Sequence, residues 1–124
     1  MRIEEFNNVK YYIGQSAREN WQLLDDSKQI NENFIWFHLD SFPSPYVVMY
    51  KDILDKSDNK IDCSFTEISI NDYLQYGAKL CKKHSKYKFL KDLKIMYVPL
   101  KKLSKTEKVG AVVITGKSKI LKCS

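Results

Sequence analysis

The chain has 124 residues, of which 44% are hydrophobic and 29% charged, a composition typical of a folded domain and not of a disordered segment. This length fits one domain with a modest core, and we expect residues 1–124 to form it. The apolar runs are too short to span a membrane, and the first residues lack the apolar stretch of a signal peptide. We therefore expect an intracellular, cytoplasmic protein without a membrane partner.

Charge is distributed unevenly. Residues 1–75 carry 7 Lys or Arg against 13 Asp or Glu, whereas residues 76–124 carry 14 Lys, no Arg and 2 acidic residues. The second part, with a net charge of +12, has the electrostatic pattern of a nucleic-acid binder. A genome rich in A and T would also raise the lysine content, but that bias does not account for the acidic first part. Because lysine is a point charge that reads base edges poorly, recognition should rest on RNA shape or a ribosomal context.

The first elements are a short strand and a helix. Residues 11–13 are predicted to form a strand that ends at Gly14. Ser16 and Glu19 then fit a capping box, which predicts a helix over residues 17–25.

Two apolar arms joined by a Pro/Ser turn predict a β-hairpin over residues 34–50. In the first arm, alternation places Phe34, Trp36 and His38 on one face and Ile35, Phe37 and Leu39 on the other. A strand that is apolar on both faces needs cover on both sides. Trp36 is therefore expected in the core, although stacking on a base is an alternative. His38 lies toward the turn and is expected to be partly exposed, as a site residue or as a structural histidine.

Residues 51–68 are polar and predict a loop. Ser69 and Asp72 then suggest a second capping box, and the helix after it should end near Lys86. One face of this helix is apolar, with Gly77 and Cys81 suited to close packing on a sheet. The opposite face carries the lysine row Lys79, Lys82, Lys83 and Lys86.

Three strands are predicted at the C-terminus. They cover residues 93–98, residues 109–115 and residues 119–123, with a tight turn at Gly116 before the last. Residues 109–115 are nearly all apolar, which predicts a central strand. The order of helices and strands favours a single α+β domain with a largely antiparallel sheet and two main helices.

The segment Ile35-Trp36-Phe37-His38, followed by a Ser-containing turn and a Val-rich arm, resembles the NFACT RNA-binding domain (NFACT-R). The resemblance covers roughly residues 10–123 and departs from the family pattern at two positions. Phe34 stands where the family usually has Asp, and Tyr46 where it usually has a second His. The other positions that carry the resemblance are Gly14, Glu19, Asn20, His84-Ser85, residues 95–99 and residues 109–112.

The resemblance implies a role linked to tRNA, ribosomal RNA or the ribosome, as in ribosome quality control, performed by a small stand-alone member. Residues and resemblance together predict a non-catalytic RNA-binding domain that holds phosphates through lysines. Nothing in the sequence separates RNA from DNA as the bound polymer. The predicted binding residues are Lys79, Lys82, Lys83, Lys86, Lys101, Lys102 and Lys105, with His38 and Tyr46 as specificity elements at the hairpin turn.

Two alternatives remain open at this stage. One is a protein–protein interaction module that docks through the acidic first part or the turn at Phe42. The other is a small enzyme that uses His38. No cofactor or metal is expected, because Cys63, Cys81 and Cys123 are far apart in sequence and form no C-x-x-C pair.

Overall fold

The computed structural model describes residues 1–40, 42–52 and 69–123. The described residues form an α+β domain with a six-stranded antiparallel sheet (the main sheet), a two-stranded sheet (the small sheet) and two α-helices, which confirms the predicted fold class. The strands are β1 (Arg2–Phe6), β2 (Val9–Ile13), β3 (Phe34–Leu39), β4 (Val47–Asp52), β5 (Leu93–Pro99), β6 (Leu103–Lys105), β7 (Val112–Ile114) and β8 (Lys119–Cys123). The helices are α1 (Ala17–Ile30), α2 (Ile70–Lys83) and a 3₁₀-helix at Leu100–Lys102.

The predicted loop over residues 51–68 lies outside the described residues, except that Lys51 and Asp52 belong to β4. Neither helix in the described part of the chain is both long enough and apolar enough to cross a membrane.

The main sheet has the strand order β1-β2-β4-β3-β5-β8, and all of its neighbouring pairs are antiparallel. The predicted hairpin is present as β3 and β4. Trp36 lies opposite Val48 on one neighbour and Val98 on the other, and Phe37 lies opposite Val47 and Tyr97. Strand β3 is thus paired on both edges.

The two faces of β3 are covered by different layers. Ile35, Phe37 and Leu39 belong to the core that includes α2. Trp36 belongs to a second core, which includes Leu23 and Leu24 of α1 and is flanked by the 3₁₀-helix and the small sheet. The sheet lies between these layers, as a strand apolar on both faces requires.

Helix α1 begins where predicted but is longer. The Ser16 hydroxyl accepts a hydrogen bond from the Glu19 N–H (3.1 Å), whereas the Glu19 carboxylate accepts one from Gln15 and not from Ser16. The helix continues to Ile30, five residues past the predicted end, because its last turns also find partners. The buried Ser27 hydroxyl lies 2.7 Å from the Tyr50 hydroxyl.

Helix α2 has the complete predicted capping box between Ser69 and Asp72. It ends at Lys83, three residues before the predicted end, with His84 as its C-cap. Gly77 is seated against Phe37, since a Cβ atom at Gly77 would lie 2.5 Å from the ring. Phe37 thus packs directly on the helix backbone.

The prediction of a central strand over residues 109–115 was wrong. Only Val112–Ile114 is a strand, and it pairs with β6 in the small sheet, where Val113 is 56% exposed. A run of apolar residues indicates that a segment is at least partly buried, but it does not indicate which sheet the segment joins. Strand β8, predicted after the turn at Gly116, pairs with β5 instead of β7.

Strand β1 was not predicted. It forms a hairpin with β2 through Asn7 and Asn8, whose φ angles are 47° and 67°. Asparagine tolerates this left-handed conformation, so the Asn-Asn pair was a turn signal.

Candidate nucleic-acid interface

Four lysines surround one cleft at the end of β5. The cleft has a volume of about 240 Å³, and we call it the lysine cleft. It is lined by Lys101, Lys102, Lys117 and Lys119, together with Ile35, Tyr97, Val98 and Pro99. No Asp or Glu is among these lining residues. Four lysines at one concavity without an acidic neighbour favour an anionic ligand at its rim.

The lysine cleft is built by two segments that leave the main sheet close together. Lys101 and Lys102 lie on the 3₁₀-helix that follows Pro99, while Lys117 and Lys119 follow Gly116, whose φ is +84°. The Thr115 N–H donates to the Lys102 carbonyl (2.8 Å), which ties the two segments together. This backbone contact fixes the two segments relative to each other, and it thereby positions the lysines that they carry.

The predicted lysine row on α2 is also exposed. Lys79, Lys83 and Lys86 are exposed and Lys82 is half-buried. The buried face of the helix includes Gly77, Ala78 and Cys81, so the row lies on the convex outer side. Lys79, Lys82 and Lys83 can contact phosphates there but enclose nothing, whereas Lys86 lies beyond the end of α2 and lines a different cavity, described below.

The structure places the two predicted lysine groups in different layers. Helix α2, which carries most of the lysine row, covers one face of the main sheet. The 3₁₀-helix and β6 lie with α1 on the other face. Lys105 is separated from the lysine cleft as well. Its ammonium group forms an ion pair with Asp25 and lies 4.9 Å from the centre of the Trp21 ring. The predicted group of Lys101, Lys102 and Lys105 is thus divided.

The hairpin residues Trp36, His38 and Tyr46 form one aromatic cluster. The His38 ring stacks on Trp36 with 5.3 Å between ring centres, and the edge of Tyr46 contacts both rings. Trp36 is 1% exposed, as expected of a core residue. His38 is half-buried, with Nδ1 2.7 Å from the Leu39 carbonyl oxygen. Burial lowers the pKa of His38, so its ring is neutral at pH 7.

Tyr46 is a core residue in this structure. It is 2% exposed, and its hydroxyl donates a hydrogen bond to the Gly110 carbonyl (2.5 Å). Burial also raises its pKa to about 12. A ring in this position links β4 to the β6–β7 connection, and a ligand on the surface does not reach it. The expectation that Tyr46 lies at the turn as a specificity element therefore has no support from its placement.

A larger cavity of about 450 Å³ lies where the start of α1, the end of α2 and the β3–β4 connection meet. Its lining includes Gly14, Asn20, Ser44, His84 and Ser85, which come from regions where the resemblance to NFACT-R was noted. The structure thus brings these separate positions together. His38 is not among the lining residues, so the two histidines do not share this cavity.

Several of these residues have structural roles at the larger cavity. The Asn20 side chain accepts a hydrogen bond from the Tyr46 N–H, and a Cβ atom at Gly14 would lie 2.2 Å from Asn20 Oδ1. Ser44 Oγ accepts from the Leu39 N–H (3.0 Å), and Ser85 Oγ donates to the Lys82 carbonyl (2.8 Å). These contacts position the turns, and they account for the residue types without a ligand.

Among the described residues there is no group of three or more His, Cys, Asp or Glu side chains that could hold a metal ion. Cys81 is buried, with its thiol 3.5 Å from the Ser44 hydroxyl and 3.8 Å from the Pro45 carbonyl.

Sequence reasoning missed Lys117, Lys119 and Tyr97 as site residues. Tyr97 lies directly opposite Lys119 in the β5–β8 ladder, so their side chains are cross-strand neighbours. The signal available in the sequence was the turn at Gly116 between two lysine-bearing segments. It was not sufficient, because the pairing of β5 with β8 brings together residues that are distant in the chain.

No family model matches the chain, and no curated protein matches it. Among solved structures, its fold is similar to that of the C-terminal part of the fibronectin/fibrinogen-binding protein from Streptococcus suis, with a TM-score of 0.69 and 21% sequence identity. The similarity covers 92% of this chain and 40% of that one. At this identity, the comparison establishes a shared fold.

Proposed function

We propose that the chain is a non-catalytic RNA-binding domain of the NFACT-R type that holds backbone phosphates through its lysines. The observation that carries this proposal is the lysine cleft, which is lined by four lysines and by no acidic residue. The α2 lysine row would add a second, weaker contact on the convex side. RNA linked to the ribosome, such as tRNA or ribosomal RNA, is the partner class that the resemblance implies.

The chemistry of the cleft favours phosphate over base edges. Lysine offers a compact charge with rotatable donors, whereas arginine offers the fixed fork that reads guanine. All four basic residues of the cleft are lysines. Binding should therefore be strong at low salt, weak at high salt and tolerant of sequence.

A salt titration tests the proposal. Fluorescence anisotropy with a labelled RNA should give a log K that falls linearly with log salt, with a slope of about −3 if four lysines contact a single strand. Changing Lys101, Lys102, Lys117 and Lys119 to Gln should lower affinity at least roughly tenfold and remove most of that slope. No binding at low salt refutes RNA binding, and a flat salt response in the parent refutes binding through phosphates.

The α2 lysine row provides a matched control. Changing Lys79, Lys82, Lys83 and Lys86 to Gln removes the same charge from the domain, so any effect of net charge alone is equal in the two variants. We expect a smaller loss of affinity than in the cleft variant. An equal loss would indicate that the net charge, and not the cleft, determines binding.

Protein binding is the second candidate function. The structural neighbour is described as a fibronectin/fibrinogen-binding protein, and exposed apolar side chains occur in the β3–β4 connection and in the segment after α2. Phe42 is 38% exposed and Phe89 is 85% exposed. The Phe42 ring packs against the Tyr87 ring, with 4.6 Å between ring centres. Biolayer interferometry with purified fibronectin and fibrinogen tests this function. The variants Phe42→Ser and Phe89→Ser should weaken any binding that the parent shows.

A further inference from the structure

We infer that the lysine cleft receives one unpaired nucleotide, with its base against the apolar wall beside Tyr97 and its phosphates at the lysines. This inference rests on the proposed RNA-binding function and adds the form of nucleic acid that the site takes. It predicts a preference for single-stranded over double-stranded RNA.

The lining of the cleft has two chemically different parts. Tyr97 and Pro99 are half-buried, which leaves part of each side chain accessible, while Lys101, Lys117 and Lys119 are exposed. A nucleotide has the same two parts, a flat ring with a π face and a charged phosphate. Base stacking on an aromatic ring tolerates all four bases, as expected for a site made with lysine alone.

Tyr97 is held in place by its neighbours. Its ring packs against Phe37 with 6.0 Å between ring centres, and Lys119 lies opposite it across the β5–β8 pair. Burial raises the pKa of Tyr97, so its hydroxyl remains protonated and neutral at pH 7 and does not repel a phosphate. An aromatic ring with a lysine as its cross-strand neighbour is thus present before any ligand arrives.

The size of the cleft limits what it can hold. A volume of about 240 Å³ lies below the range of roughly 300–1,000 Å³ that is typical of pockets for drug-sized ligands. One ring system is therefore the expected content of the cleft itself, with the sugar phosphate outside it at the lysine-bearing rim. A base within a duplex is paired and stacked, and it would have to be extruded before it could enter, which disfavours double-stranded RNA.

Binding of matched RNAs to the parent and to Tyr97 variants tests the inference. A labelled single-stranded RNA and a blunt duplex containing the same strand are titrated at one salt concentration. We expect tighter binding of the single strand. Tyr97→Leu should weaken single-strand binding by about 5- to 150-fold, the range for loss of one stacked base. Duplex binding should be unchanged, and Tyr97→Phe should retain the preference.

NMR provides a second measurement that does not depend on Tyr97→Leu folding well. In the parent protein, adenosine monophosphate should shift the Tyr97 and Lys119 amide signals, and ribose 5-phosphate should shift the lysine-bearing segments but not Tyr97. Equal binding of single strand and duplex, or equal effects of the two small ligands at Tyr97, overturns the inference. If RNA still binds with a salt-dependent affinity, the proposed function survives; if no RNA binds, that function fails first.

Discussion

The two sides of the main sheet are stabilised differently. On the α2 side the cover formed by the described residues is one helix that packs through small residues, so that Gly77, Ala78 and Cys81 lie against the strands. On the α1 side the cover is a helix, a 3₁₀-helix and the small sheet, joined by hydrogen bonds from side chains to backbone. Tyr46 donates to the Gly110 carbonyl and the Trp21 indole donates to the Ala111 carbonyl (3.2 Å).

This difference explains where a concave site can form. A helix that packs closely on a sheet presents its lysines outward, as the α2 row does. Short irregular segments held by hydrogen bonds can instead surround a cleft. The Lys101 N–H donates to the Glu32 carbonyl (2.9 Å), so the 3₁₀-helix is anchored next to α1. The irregular cover thus supplies Lys101 and Lys102 to the cleft, while the apolar wall of the cleft includes Ile35 and Tyr97 from the α2 side of the sheet.

The largest expected effect is on the α1 side, at Trp36. Trp36→Ala removes a fully buried side chain from that core and should lower the free energy of unfolding by ~3–5 kcal/mol. His38→Ala should leave a folded protein, since its ring is only half-buried. Chemical denaturation of both variants measures the difference. If His38→Ala destabilises the domain as much as Trp36→Ala, His38 is chiefly a structural residue and no site role is needed for it.

A smaller effect is expected on the α2 side, at Gly77. Gly77→Ala places a Cβ atom 2.5 Å from the Phe37 ring, and overpacking of this kind costs about 1–3 kcal/mol. The higher helix propensity of alanine stabilises the folded state by at most ~1 kcal/mol. Thermal melts should therefore show a net loss of stability. Gln75→Ala, at an exposed position of the same helix, is the control and should change stability little; a fully stable Gly77→Ala would show that the α2 side is not tightly packed.

The parts of the fold that follow from short-range patterns were predictable. Alternation identified the β3–β4 hairpin, and the Ser16 and Ser69 caps located both helix starts. The same alternation, applied to β4, would also have placed Tyr46 on the face of Val48 and Trp36. Its proximity to the turn suggested exposure instead, and the structure has it buried.

The candidate site depends on long-range pairing and was only partly predictable. Clustered charge indicated a basic surface, and Lys101 and Lys102 were named. Lys117 and Lys119 join them because β8 pairs with β5 and not with β7. No local pattern distinguishes those two pairings, since both begin from the same turn at Gly116. The lysine cleft could therefore be identified only after the sheet order was known.

The smallest expected effect is the pH dependence of stability that His38 causes on the α1 side. Burial is the main cause that lowers the pKa of His38 from 6.5, against an opposing contribution from its hydrogen bond to Leu39. The folded state then binds fewer protons than the unfolded state. His38 thus adds no penalty above about pH 6.5, and stability is lost as the pH falls from there through the lower pKa of the folded state. The melting temperature should therefore fall between about pH 7.5 and about pH 5.5.

His38→Asn should reduce this fall, because the variant has no imidazole to protonate on the α1 side. His84 must be examined separately, since burial is also the first cause that lowers its pKa, with Arg2 and Lys83 adding to it. His84→Asn lies at the end of α2 and is the matched control for the other side of the sheet. We expect the His84→Asn variant to retain the part of the pH dependence that comes from His38, since that ring is still present in it. A larger change in His84→Asn than in His38→Asn would place the pH-sensitive contact on the α2 side and contradict the assignment to His38.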